Sequence, residues 1–82
     1  MTIPLQTGDV VMVCASDKAK VPPELVSVKF MLAEQHINAE TYTDSFWSVA
    51  PLQDPTARLE RNGREVWLHD DCLMLVWASP RQ

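Results

Sequence analysis

The sequence predicts a mostly β domain, a small barrel of five or six short strands, and three observations carry that prediction. Apolar runs rich in β-branched residues recur at Gly8–Ala15, Phe46–Leu52 and Leu73–Trp77, bounded by glycine, proline and aspartate. Short runs of that composition between such residues are strand signals. Asn62-Gly63 marks a hairpin, because both residues tolerate the positive φ of a type I′ turn. His69-Asp70-Asp71-Cys72 is a short polar break suited to one turn of 3₁₀ helix before the last run.

With 82 residues the chain is expected to form one domain over residues 1–82, around a single core. A core of that size supplies roughly 3–5 kcal/mol, and small scaffolds commonly add a disulfide, a metal or a partner chain. Cys14 and Cys72 are the only cysteines and form no close-spaced pair. Both are expected as free thiols in a reducing cytoplasm. Met1-Thr2-Ile3-Pro4 carries no basic stretch followed by an apolar run, and no apolar segment approaches the roughly 20 residues that cross a bilayer, so neither a secretory leader nor a membrane partner is expected.

Seven basic and eleven acidic residues give a net charge of −4. No basic residue falls between Lys29 and Arg58, whereas Glu34, Glu40, Asp44 and Asp54 all do, so this stretch accounts for the whole excess. A direct nucleic-acid binder carries a basic stripe, and none is present.

Taken in order, Gly8–Ala15 opens with a turn signal and reads as a strand apolar on both faces. Ser16–Pro23 mixes charge with a proline pair and reads as a loop. Leu25–Gln35 fits two periods. Period two puts Val26, Val28, Phe30 and Leu32 on one face; period 3.6 aligns Leu25, Val28 and Leu32, with Pro22-Pro23-Glu24 as a helix start. The strand is the preferred reading. Asn38–Ser45 reads as a solvated loop, Phe46–Leu52 as a strand that Pro51 ends or places at an edge, and Leu73–Trp77 as a last strand apolar on both faces. Within the hairpin, a two-residue turn sets Arg61 against Arg64 and Glu60 against Glu65, two like-charge pairs. A three-residue loop pairs Glu60 with Arg64 and is favoured for that reason.

Gly8-Asp9-Val10-Val11-Met12-Val13, Phe46-Trp47-Ser48-Val49-Ala50-Pro51-Leu52 and Val66-Trp67-Leu68-His69-Asp70-Asp71-Cys72-Leu73 resemble small SH3-like barrel proteins of phages and prophages. The resemblance spans most of the chain. It implies an SH3-like barrel with one 3₁₀ turn before the last strand, and a phage or prophage setting. Proteins of that sort generally lack a known activity, so no catalytic residue is carried over.

The chemistry-bearing residues point away from catalysis. Cys14, Cys72, His36 and His69 could ligate zinc, but only His69 and Cys72 are close in sequence, and structural zinc sites present ligands in close pairs. Cys72 beside His69, Asp70 and Asp71 has the ingredients of a nucleophile, yet four consecutive residues do not face one point, and the two carboxylates are expected to raise the thiol pKa. Gly8 and Gly63 are the only glycines, so phosphate-cradling loops are excluded. No metal and no cofactor is expected. Trp47 and Trp67 are expected in the core and Trp77 as partly exposed.

The expected function is a non-enzymatic protein–protein interaction module that binds or inhibits a host protein or associates with itself. Two surfaces are candidates: the acidic residues Glu40, Asp44 and Asp54, and the apolar residues Met74, Val76 and Trp77 of the last strand. In a barrel whose first and last strands are neighbours, the outward members of both strands merge into one patch. A metal-stabilised or nucleic-acid-handling accessory domain is the alternative, and a small enzyme using Cys72 the third.

Overall fold

The computed structural model describes residues 5–16, 21–37 and 45–80. Strands β1 (Val10–Val13), β2 (Lys29–Ile37), β3 (Ser45–Pro51), β6 (Trp67–His69) and β7 (Leu73–Trp77) form one antiparallel sheet in the order β6-β3-β2-β1-β7. Strands β4 (Glu60–Arg61) and β5 (Arg64–Glu65) form a separate hairpin. The domain is mostly β, as expected, with the first and last strands adjacent and a 3₁₀ turn at Asp70–Cys72. Among the described residues the five-stranded sheet does not close on itself.

Alternation explains which side of the sheet is core. Val11 and Val13 of β1, Phe30 and Leu32 of β2, Trp47 and Val49 of β3 and Leu68 of β6 point to one side and are buried, joined by Cys72 from the 3₁₀ turn. Leu5, Val21, Leu25, Leu59, Val66 and Leu73 pack against them. Trp47 anchors this core at 2% exposure, and its indole Nε1–H donates to Asp70 Oδ1 at 2.6 Å. A buried indole therefore keeps its polar handle satisfied.

Residues 25–37 divide between the two readings the sequence allows. Pro22-Pro23 does start a helical turn, but it is one 3₁₀ turn, Pro23–Leu25, after which Ser27 takes φ +70° and the chain turns into β2. Ser27 holds that left-handed conformation while its N–H donates to Val13 O at 2.7 Å. Val26 and Val28 thus lie before the strand, not on its inner face, and Val28 is exposed. A second local feature reverses the alternation: between Leu32 and Glu34 the register to β3 slips by one residue, a bulge at Ala33. That slip sends Glu34 and His36 to the outer side, opposite Ser48 and Phe46.

The hairpin sits where expected, but with the other register. Glu60 faces Glu65 and Arg61 faces Arg64, with Asn62 at φ +55° and Gly63 at φ +77°. A two-residue turn with both central φ values positive matches the twist of the strands it joins. The like-charge pairs this creates are solvent-exposed and cost only a few tenths of a kcal/mol each. Arg61 is further satisfied by Glu24 at 2.8 Å.

Buried Asp9 ties the turn before β1 to the segment after β7, its neighbour in the sheet. Its carboxylate accepts from Gln6 N at 3.0 Å, Ser79 N at 2.8 Å and Ser79 Oγ at 3.0 Å. The residue is fully buried, so these bonds offset the cost of taking its polar group out of water.

Candidate functional site

The outer side of β1 and β7 is apolar, and Met31 and Lys29 of β2 border it. Direct cross-strand neighbours form two rows, Met31–Val10–Trp77 and Lys29–Met12–Met74. Residues facing each other across an antiparallel pair project from the same side, so each row is a continuous strip. Val76 joins them from a bulge: the register shifts between Val10 and Val11, so Val76 and Trp77 together oppose Val10. Met74, Val76 and Trp77 are exposed by 48%, 45% and 51%, while Val10, Met12 and Met31 are half-buried beneath them. The three apolar residues expected in a binding surface therefore lie together, beside the outward members of β1. Residues 29–37 form a strand of the same sheet, so this stretch does not lie across the face as a helix.

Of the three acidic candidates the structure describes Asp54 alone. Glu40 and Asp44 lie outside the described residues. Asp54 sits in an exposed turn after β3, where its Oδ1 accepts from Thr56 Oγ1 at 2.7 Å and Thr56 N at 3.2 Å. The Thr56 hydroxyl, above all, lowers its pKa. Glu34 lies on β2, 4.0 Å from Arg58.

Trp67 departs from the expectation of a core position: it is 50% exposed. It projects from the outer side of β6 and stacks on His36, with ring centroids 3.8 Å apart and planes 7° from parallel. Its Nε1–H donates to Glu65 Oε1 at 2.9 Å. His69 packs edge-on against Phe46 at 5.1 Å. The sequence offers no local signal for the His36–Trp67 stack, because it depends on the bulge at Ala33.

Around Cys72 the geometry is that of a packed thiol. Cys72 Sγ donates to His69 O at 3.0 Å and is buried. Its pKa is raised, chiefly by burial; Asp70 contributes least, so the carboxylates are not the main cause the sequence pointed to. A neutral buried thiol is a poor nucleophile. His69 Nδ1 caps the 3₁₀ turn by accepting from Asp71 N at 3.0 Å, which commits that nitrogen to the backbone. Among the described residues no group of three or more His, Cys, Asp or Glu is placed to hold a metal. A cleft of about 190 Å³ lies between Glu24, Leu25, Leu59, Glu60, Arg61 and Val66. That is below the roughly 300–1,000 Å³ of small-molecule sites. Among the described residues no helix is long and apolar enough to cross a membrane.

Comparison with protein-family models, with curated proteins and with solved structures finds no match.

Proposed function

We propose that this chain is a non-enzymatic protein-binding module of the SH3-like barrel type that works through the outer face of β1 and β7. The observation that carries the reading is the strip of Val10, Met12, Met74, Val76 and Trp77, contiguous across two strands. Three of these side chains are near half-exposed on a chain of 82 residues. Contiguous exposed apolar surface is costly in water, and on small proteins it marks interaction sites. Trp is moreover the residue most enriched at binding hot spots. The barrel assignment is supported by the strand order β6-β3-β2-β1-β7, the adjacency of first and last strands, and the 3₁₀ turn before β7. The likeness of the three quoted segments to phage and prophage proteins proposes the setting, in which the bound protein is a host factor or the chain's own copy.

Photo-cross-linking in the native cells tests the reading. A benzophenone side chain placed at Val76 is expected to give a covalent protein adduct, and one placed at Asp54 none. Equal adducts from both positions, or none from Val76, would overturn it.

A further inference from the structure

Cys14 and Cys72, distant in sequence, meet where β1 runs alongside β7. The β1–β7 register sets Met12 against Met74 and Val13 against Leu73, so the next rung sets Cys14 against Cys72. That rung is made: Cys14 N donates to Cys72 O at 2.7 Å. Hydrogen-bonded partners of an antiparallel pair hold their Cα atoms roughly 5.5 Å apart, inside the roughly 4.4–6.8 Å that a disulfide spans. The Cys14 thiol leans toward this seam. Val13 N bonds Val28 O on the β2 side, so Met12 and Cys14 turn their backbone groups toward β7, and Cys14 Sγ lies 3.8 Å from Met12 O. Cys72 Sγ donates to His69 O at 3.0 Å. Each thiol is thus held only by a weak donor bond to a carbonyl, which rotation about χ1 gives up. Burial is the chief cause of the raised Cys72 pKa and Cys14 adds to it, so the second thiol is within electrostatic reach of the first.

We infer that Cys14 and Cys72 form a redox clasp, an intramolecular disulfide that closes across the β1–β7 seam by exchange with a small-molecule disulfide such as oxidised glutathione. The two cysteines differ in the way such a sequence needs. Cys14 is half-buried whereas Cys72 is 1% exposed, so Cys14 meets the oxidant first. Its thiol loses a proton and the thiolate attacks one sulfur of the glutathione disulfide. That S–S bond breaks, and one glutathione leaves as a thiolate that takes up a proton. Cys72 then loses its own proton and attacks Cys14 Sγ, breaking the mixed disulfide, and the second glutathione leaves in the same way. Two protein thiols are oxidised, and one glutathione disulfide is reduced to two thiols. Burial makes Cys72 a poor nucleophile toward free reagents, but here it acts on a sulfur fixed beside it, and proximity of that kind replaces a bimolecular encounter. The bond ties residue 14 to residue 72 and supplies a staple of the kind that small cores commonly add. It also fixes the two strands whose neighbouring outward pair, Met12 and Met74, belongs to the apolar strip.

Intact-mass spectrometry of the purified, reduced chain after incubation with oxidised glutathione tests this, with remaining thiols alkylated before measurement. The expected product is a single chain lighter by two hydrogens, free of alkyl groups and of glutathione. Its Tm should rise by at least about 5 °C over the reduced chain. Cys72→Ala should stop at the mixed disulfide and carry one glutathione on Cys14. Across a series of glutathione ratios, the native chain should close with an effective concentration at least roughly tenfold above that of the same chain in denaturing urea. A parent that keeps glutathione on Cys14 without expelling it overturns the inference. So does a bond between two chains in place of one within a chain, or closure no more favourable than in urea.

Discussion

Replacing Asp9 by alanine should be among the most destabilising single changes in this chain. The carboxylate is fully buried and accepts from two backbone amides, Gln6 N and Ser79 N, and from the Ser79 hydroxyl. The hydroxyl has another acceptor in reach, Thr7 O at 3.4 Å, so its loss is softened. The two amides keep no such substitute among these contacts, and each orphaned buried donor costs about 1–3 kcal/mol. Gln6 and Ser79 are half-buried, so water relieves part of this, and a loss of about 3 kcal/mol is expected. For a domain of this size that corresponds to roughly 15 °C in Tm. Asp9→Asn keeps one acceptor oxygen but turns an amide toward one of the donors, and should cost about half as much. Thermal and urea melts followed by circular dichroism measure both. A drop below about 5 °C for Asp9→Ala would refute the claim that this carboxylate fastens the segment after β7 to the turn before β1.

Three further predictions concern separate parts of the fold. Gly63→Val should cost more than about 1 kcal/mol from backbone strain, since φ is +77° and nothing lies within 4 Å of an added Cβ, and an unchanged melt would refute the turn. Asp70→Ala strips the acceptor from the buried Trp47 indole and should cost about 1–3 kcal/mol in a urea melt, while Asp71→Ala at the exposed neighbour should cost well under half that. Burial raises the Cys72 pKa, so the unfolded thiol ionises first: stability is fully present below the ordinary thiol pKa of about 8.5 and falls as pH rises past it. That alkaline loss should vanish in Cys72→Ala, and native thiol titration at pH 7 should find Cys72 slower than Cys14; equal rates would contradict its burial.

Much of this architecture was legible in the residues themselves. Val10–Val13, Ser45–Pro51 and Leu73–Trp77 fall within or against the predicted runs, and the polar break before the last strand is the 3₁₀ turn. These signals are local: β-branched runs, a proline, a short acidic break. What failed depended on distant chain. The bulge at Ala33 is an irregularity of pairing with β3, and it alone decides that His36 faces outward to meet Trp67. The hairpin register was read from charge pairs worth a few tenths of a kcal/mol, whereas turn geometry outweighs them at an exposed site. Asp9 read as part of a turn signal, and its contacts with Ser79, seventy residues away, carry no sequence mark. At the candidate face, Met74, Val76 and Trp77 were legible because an apolar strand with two apolar faces leaves one of them without a core to enter.

Oxidative footprinting tests the central claim most directly, because the protein contains its own control. Trp67 and Trp77 are equally exposed, at 50% and 51%, but only Trp77 lies on the β1–β7 face. Labelled in native cells and compared with a dilute purified sample, Trp77 and Met74 should be shielded several-fold while Trp67 reacts alike in both. Trp77 labelled in cells as heavily as in the dilute chain would mean that this face stays open to water, and would contradict the account.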